Sequence, residues 1–194
     1  MINEIFICLA LFNMSNVTKQ KNVCDNIDLI HQVSKEYKID PILIVSILWE
    51  ESRFRSGVKS SKGACGISQV IPKYTDLFAK LRNKYSRKES RDKACIKLSE
   101  ARTGITYGAK AFSYWLHKYG KGNVSTGLCG YNAGFKCKGE AENGFENIAY
   151  KRGMFIYAPN VLKFYKKLKK KVKKVRKIKY KTDYFLVYLK KSLF

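Results

Sequence analysis

The sequence predicts a mainly α-helical fold built around one core, and three observations carry that expectation. Apolar side chains recur three and four residues apart in several segments, while no stretch alternates apolar and polar residues long enough to read as a sheet. Start and stop signals flank those segments: Asp40-Pro41 and Asn123 before them, Gly120 and Gly134 after. The chain has 194 residues, 45% of them hydrophobic, and one hydrophobic core ordinarily spans roughly 100–200 residues. A wholly disordered chain is excluded by that composition. No apolar run approaches the ~20 residues a spanning helix needs, which argues against an integral membrane protein. No internal repeat is evident.

Ile5–Phe12 is an apolar run, long enough for the core of a secretory signal. Glu4 precedes it, no Lys or Arg does, and no clear small-x-small cleavage site follows. Residues 1–24 therefore read as a signal, a short anchor or a helix packed on the domain. Ile27, Ile30, His31, Val33 and Tyr37 predict an amphipathic helix over about 26–38. Asp40 then reads as an N-cap with Pro41 at the first helical position. Ile42–Trp49 is apolar on every side except Ser46, the pattern of a helix buried all round. The glycines between Gly57 and Gly66 mark a loop, and Pro72 a new start. Ile105, Ala109, Phe112, Leu116 and Tyr119 predict a helix over about 100–118, stopped by Gly120. Asn123 caps a short helix running to Ala133 before Gly134, and Pro159 opens the last helix.

That last helix is unusual in charge. The chain carries 39 Lys+Arg against 15 Asp+Glu, a net +24, and residues 160–194 hold 14 of the basic and 1 of the acidic side chains. Val161, Tyr165, Leu168, Val172 and Val175 recur at helical spacing with lysines in nearly every gap, so the segment is a cationic amphipathic helix. Such a field favours anionic partners. Through about Leu168 a closing helix packed on the domain is sufficient explanation. Residues 169–181 hold more charge than packing requires and suit anionic wall polymers or lipid. Nucleic acid is the weaker choice, because Tyr180, Tyr184, Phe185 and Tyr188 follow the lysines instead of interleaving with them. Tyr184–Leu189 is apolar and reads as a stretch for docking on the core or entering a lipid interface.

Cys8, Cys24, Cys65, Cys95, Cys129 and Cys137 form no CxxC pair, so a zinc or iron–sulfur site has little support. Cys129 and Cys137 flank a glycine-rich turn and read equally as a disulfide or as two buried thiols. The redox compartment stays open.

The chemical candidate is Glu51. It lies three, four and seven residues after Leu48, Ile47 and Ile44 and shares their apolar face. Desolvation there raises a carboxyl's pKa and leaves it protonated near neutrality, as the general acid for a glycosidic bond must be. Glu50 sits about 100° round the helix and reads as solvated. Taken alone, Glu51 reads equally as an ordinary glutamate at a frayed helix end.

Its surroundings change the balance. Glu51-Ser52, Ser60, Gly63-Ala64, Gly66-Ile67-Ser68-Gln69 and Pro72 form one spaced pattern, followed by Gly130-Tyr131-Asn132-Ala133-Gly134 and Tyr157-Ala158-Pro159. This order resembles the soluble lytic transglycosylase family, whose fold is similar to goose-type lysozyme. The resemblance covers about 25–168, leaving residues 1–24 and a Lys-rich tail, 169–194, outside it. It implies a single lysozyme-like helical domain with a basic C-terminal helical extension, Glu51 as sole acid/base, and Ser60, Gln69 and Tyr131 lining a sugar groove. Asn132 would hold the groove wall, and Tyr157 would approach Glu51 from the far side. Ser68 stands where the family usually has Met, so an apolar glycan contact is expected to be lost or altered. Cys65 is expected to add a thiol beside the site. Singly, the glycines read as turn residues, Ser60 and Gln69 as local backbone partners, and the tyrosines as core aromatics.

The resemblance implies cleavage of the MurNAc–GlcNAc β-1,4 bond of peptidoglycan with a 1,6-anhydro-MurNAc product, without metal or cofactor, by a monomer in the cell envelope. A phage particle or a secretion machine would use such a part. A lysozyme-like hydrolase of the same bond is the near alternative, and a non-catalytic cationic wall-binding protein the distant one.

Overall fold

The computed structural model describes residues 2–14, 16–137 and 147–192, with side chains described from residue 5 to residue 178. The helices run in chain order α1 (Ile2–Phe12), α2 (Lys21–Cys24), α3 (Ile27–Tyr37), α4 (Pro41–Ser52), α5 (Asp76–Arg82), α6 (Arg87–Ser99), α7 (Ala101–Ser113), α8 (Val124–Ala133), α9 (Ile148–Arg152) and α10 (Ala158–Ser192). Among the described residues there is no strand; only the isolated bridges Lys59–Cys65 and Cys65–Val70 occur. The fold is thus mainly α.

The central element is α4, whose residues Ile42 through Leu48 are all buried. The Asp40 side chain caps it by accepting from the Ile42 N–H at 2.8 Å, as the Asp-Pro signal predicts. Around α4 the core gathers Ile30 and Val33 from α3, Ile105 and Phe112 from α7, Leu128 from α8, and Val161, Leu168 and Val172 from α10. Helix α10 runs antiparallel to α4 and touches both of its ends. Tyr165 Oη donates to Asp40 Oδ2 at 2.7 Å at one end, and Tyr157 reaches Glu51 at the other.

Helix α1 packs on the domain: Phe6, Ile7, Ala10 and Leu11 are buried in the same core, and Cys8 is bonded to Cys24. The other cysteines pair as Cys65–Cys95 and Cys129–Cys137. The reading of Cys129 and Cys137 as buried free thiols is therefore set aside, and Cys65 brings a disulfide, not a thiol, to the neighbourhood of Glu51. Bonding Cys65 to Cys95 ties residues 57–70 to α6, beside a small second core of Val70, Cys95 and Leu98.

Two helices end in wider, π-helical turns. One, Tyr114–Tyr119, continues α7; the other, Gly153–Tyr157, leads directly into α10. The predicted last helix accordingly starts at Ala158 and is continuous with the turn before it. The side chains of the apolar stretch Tyr184–Leu189 and of the aromatic cluster from Tyr180 lie outside the described residues. Among the described residues no helix is long and apolar enough to cross a membrane.

Candidate active site

Glu51 ends the buried helix, and the chain leaves it through a tight reversal. Arg53 and Phe54 follow with φ of 53° and 62°, a left-handed conformation that disfavours residues bearing a Cβ. The surroundings hold this conformation in place. Phe54 is fully buried with its ring 5.2 Å from that of Trp49, and Asn22 Nδ2 donates to the Phe54 carbonyl at 2.8 Å. Ser52, the second residue of the Glu-Ser pair, is buried and donates through Oγ to the Ile67 carbonyl at 2.8 Å. That bond pins the 57–70 loop against the end of α4.

The loop is a small web of backbone bonds. The Cys65 N–H donates to Val70 O at 2.9 Å and Val70 N–H returns one to Cys65 O at 3.1 Å. Gly66, at φ 78°, faces the Leu98 carbonyl so closely that an added Cβ would lie 1.9 Å from that oxygen, so only glycine fits. Ser60 Oγ accepts from the Ala64 N–H at 3.0 Å, and Gln69 Nε2 donates to Val58 O at 3.0 Å and Gly66 O at 2.9 Å. Ser60 and Gln69 are thus engaged in shaping the loop while each keeps part of its surface exposed. Ser68 is fully buried and donates to the Gly104 carbonyl at 2.7 Å. Its side chain faces the core between α4 and α7, so the expected change in an apolar glycan contact does not arise from it.

Two tyrosines close on the acid. Tyr157 Oη donates to Glu51 Oε1 at 2.6 Å, delivered by the π-helical turn before α10. Tyr131, on α8, donates to the Ser68 carbonyl at 2.7 Å and lies close enough to Glu51 for the carboxylate charge to raise its hydroxyl. Gly108 on α7 makes room for the Ser68 side chain, since a Cβ there would lie 2.3 Å from its Oγ and 2.5 Å from its Cβ. Burial, with Glu51 second, holds both phenols well above their ordinary range, so they act as neutral donors. Asn132 follows on α8, half-buried.

These contacts set the state of the acid. Burial pushes the Glu51 carboxyl from 4.5 up to about 7; the Tyr157 hydrogen bond offsets part of this, Glu50 adds to it, and the Arg152 charge offsets a little more. Glu51 keeps some surface open to solvent even so. Glu50 points away into an ion pair with Arg53 at 2.9 Å and accepts from Asn160 Nδ2 at 3.2 Å. A protonated and a charged form of Glu51 are therefore both populated near neutrality, beside fixed hydroxyl donors and a rigid loop. Among the described residues no group of His, Cys, Asp and Glu could hold a metal ion.

The structure thus brings Glu51, Tyr131 and Tyr157 together, with Gln69 next to Ser68, on which Tyr131 rests. Ser60 stands further along the same loop. Sequence reasoning did not single out Arg152, whose position in α9 carries no motif, or Gly108, whose significance is only its closeness to Ser68.

The transglycosylase SLT domain family matches residues 28–152. One relative, X polypeptide of Escherichia coli, is 30% identical over 141 residues, covering 71% of this chain and 72% of its own. X polypeptide of Escherichia coli strain K12 is 29% identical over 168 residues, 84% of this chain and 82% of its own. With the buried glutamate, its two tyrosines and the glycine-tight loop all inside or beside the matched span, the chain belongs to the transglycosylase SLT domain family, enzymes of the lytic transglycosylase type that act on the peptidoglycan of the cell wall.

Proposed function

We propose that the protein cleaves the MurNAc–GlcNAc β-1,4 bond by intramolecular transglycosylation, with Glu51 as its single general acid/base. The observation that carries this is the buried carboxyl with a pKa of about 7, while its neighbour Glu50 is committed to Arg53 and Asn160. Glycosidases that use water ordinarily employ two carboxylates about 5–9.5 Å apart. Intramolecular attack requires only one. Protonated Glu51 donates to the glycosidic oxygen as its bond to the anomeric carbon breaks. The resulting carboxylate accepts the proton of the C6 hydroxyl as that oxygen closes on the same carbon. The product is a 1,6-anhydro-MurNAc end, no water is consumed, and Glu51 regains its proton.

The other residues have roles consistent with their contacts. Tyr157 occupies Oε1, which leaves Oε2 to carry the proton. Ser60, Gln69, Tyr131 and Asn132 line the groove, the first two through a loop whose own hydrogen bonds fix their position. Three disulfides support folding in an oxidising compartment, in keeping with work on the cell envelope. Residues 169–181 engage an anionic component of the envelope, wall polymer or lipid, in preference to nucleic acid.

Mass spectrometry of muropeptides released from purified peptidoglycan tests the reaction. Anhydro ends, lighter than hydrated ends by one water, are expected. Reducing muramic ends would make water the nucleophile, and binding without release would leave a non-catalytic wall-binding protein.

A further inference from the structure

We propose that Tyr114, Trp115, Tyr119 and Phe135 form an aromatic platform on which the glycan strand rests beyond the bond that is cut. The inference rests on the glycan-cleaving reading of Glu51 and extends its substrate site. The four rings stand together at the surface, with neighbouring centroids 5.0–5.4 Å apart. Tyr114 and Phe135 are nevertheless 40% and 61% exposed, and Trp115 and Tyr119 only half-buried. An apolar patch left in water in this way marks a binding surface, not a core.

The backbone assembles the cluster. At 3.6 residues per turn, side chains five apart on an α-helix point about 140° away from each other. Over Tyr114–Tyr119 the extension of α7 winds as a π-helical turn, and the Gly120 N–H donates to the Trp115 carbonyl, five residues back, at 2.8 Å. The wider turn brings Tyr119 round to Tyr114, and their hydroxyls are 3.1 Å apart. Trp115 packs on Gly130 of α8, where an added Cβ would lie 2.4 Å from its ring. The bond between Cys129 and Cys137 closes the segment that carries Phe135.

Continuity with the site selects the occupant. Gly108, Phe112 and Trp115 stand at i, i+4 and i+7, on one face of α7 and its extension. Gly108 receives Ser68, the Phe112 ring meets that of Tyr131 at 6.1 Å, and Trp115 meets Gly130 and Phe135. Along that face the loop beside the acid, Tyr131 and the platform follow one another within about 10 Å of helix rise. In the chain, Gly130 and Phe135 also bracket Tyr131 and Asn132, which the glycan reading places in the groove wall. A pyranose ring has C–H groups on its faces and hydroxyls at its rim. The electron-rich faces of aromatic rings attract the first, and the hydroxyls of Tyr114 and Tyr119 bond to the second. Lys118 and Lys136, exposed beside the rings, suit the carboxylates of muramic units. Contacts this far from the cut bond add affinity for long strands.

The test is calorimetric titration of the full chain carrying Glu51→Gln, which leaves the strand uncut, with peptide-free glycan strands prepared from peptidoglycan. Adding Tyr114→Ser and Phe135→Ser together is expected to weaken binding about tenfold. Phe135→Tyr alone, which keeps a ring at the most exposed position, is expected to bind as the parent does. Both positions are exposed, and circular dichroism confirms that each variant is folded. Binding by the parent that the serine variant retains in full would overturn the platform alone. No binding by the parent would overturn the glycan reading of the groove, and the platform with it. A loss with Phe135→Tyr as large as with serine would show that stacking is not the contact. If the serine variant dissolved a dimer and left glycan affinity intact, the rings would belong to an interface with a second copy of the chain, and the proposal would fall.

Discussion

Glu51 stands at the end of a helix buried on every side, whereas residues 57–70, pinned beside it by Ser52, bury only Ile67 in the main core and Cys65 and Val70 in the small second one, and leave Ser60 and Gln69 partly exposed. Apolar contacts and the antiparallel α10 position the first; backbone hydrogen bonds, a glycine without room for a Cβ and the Cys65–Cys95 bond position the second. The difference follows from what each part must do. An acid needs a dry surrounding to hold its proton at neutral pH. A wall of a polar groove needs fixed shape with its surface still wet, which burial cannot supply. The two halves should therefore respond differently to mutation: one through proton chemistry, the other through geometry.

The largest effect is expected at the acid. Glu51→Gln should lower the rate of peptidoglycan cleavage by about 10²–10⁴-fold, read from release of soluble fragments. The same variant should leave the protein more stable at alkaline pH. The folded carboxyl titrates near 7 and the unfolded one near 4.5, so the folded state holds the extra proton between those values. Stability of the wild type then falls as pH rises through that window, by about 2–3 kcal/mol once partial exposure is allowed for. Glutamine removes the fall. Thermal melts at pH 4.5 and pH 8 check this, and a variant less stable than wild type at pH 8 would mean the carboxyl is not held in a dry surrounding.

On the loop, Gly66→Ala should act through shape. The methyl would collide with the Leu98 carbonyl at a φ that alanine rarely adopts, and backbone strain of this kind costs about 1–3 kcal/mol before any collision is counted. Activity should fall with the pH profile of the remaining fraction unchanged. Replacing Cys65 and Cys95 together by Ser should have a milder result. The bond spans a sequence separation of 30, for which loop-closure entropy gives about 3–4 kcal/mol as an upper figure. A lower melting temperature with most of the activity retained at 25 °C is expected. If reduction instead abolished activity in a protein that stayed folded, the disulfide would be shaping the groove itself.

The same contrast governs what was legible in the sequence. Helix α4 and its acid could be read because burial leaves a pattern: an Asp-Pro start, an apolar run and a glutamate in register with it. The helices α3, α7 and α8 were legible through periodicity and caps. Helices α5 and α6 were not, since Asp76–Arg82 has no buried residue and Arg87–Ser99 is dominated by charge, so neither shows an apolar stripe. The partners of Cys8–Cys24 and Cys65–Cys95 were hidden for a different reason, as spacing along the chain says nothing of which loop returns to which helix. Ser68 is the sharpest case. Its neighbour Gln69 was read as a site residue by the order of the motif, yet only the structure shows the Ser68 hydroxyl buried on Gly104.

The smallest effect separates position from proton affinity. Tyr157→Phe removes the 2.6 Å bond to Glu51 Oε1 and keeps the ring. That bond favours the carboxylate, so its loss should raise the Glu51 pKa further above 7 and move the alkaline limb of the pH–rate profile upward. At pH 5 the acid is protonated in both proteins, and any remaining difference there measures orientation alone. A loss of up to about tenfold is expected, as for one neutral hydrogen bond of about 0.5–1.5 kcal/mol. An upward limb with no loss at pH 5 would assign Tyr157 to tuning only; a loss at every pH with an unmoved limb would assign it to holding the acid or the sugar in place. Either result divides the work of the buried half between dryness and aim, a division that the loop half, with no carboxyl of its own, does not have.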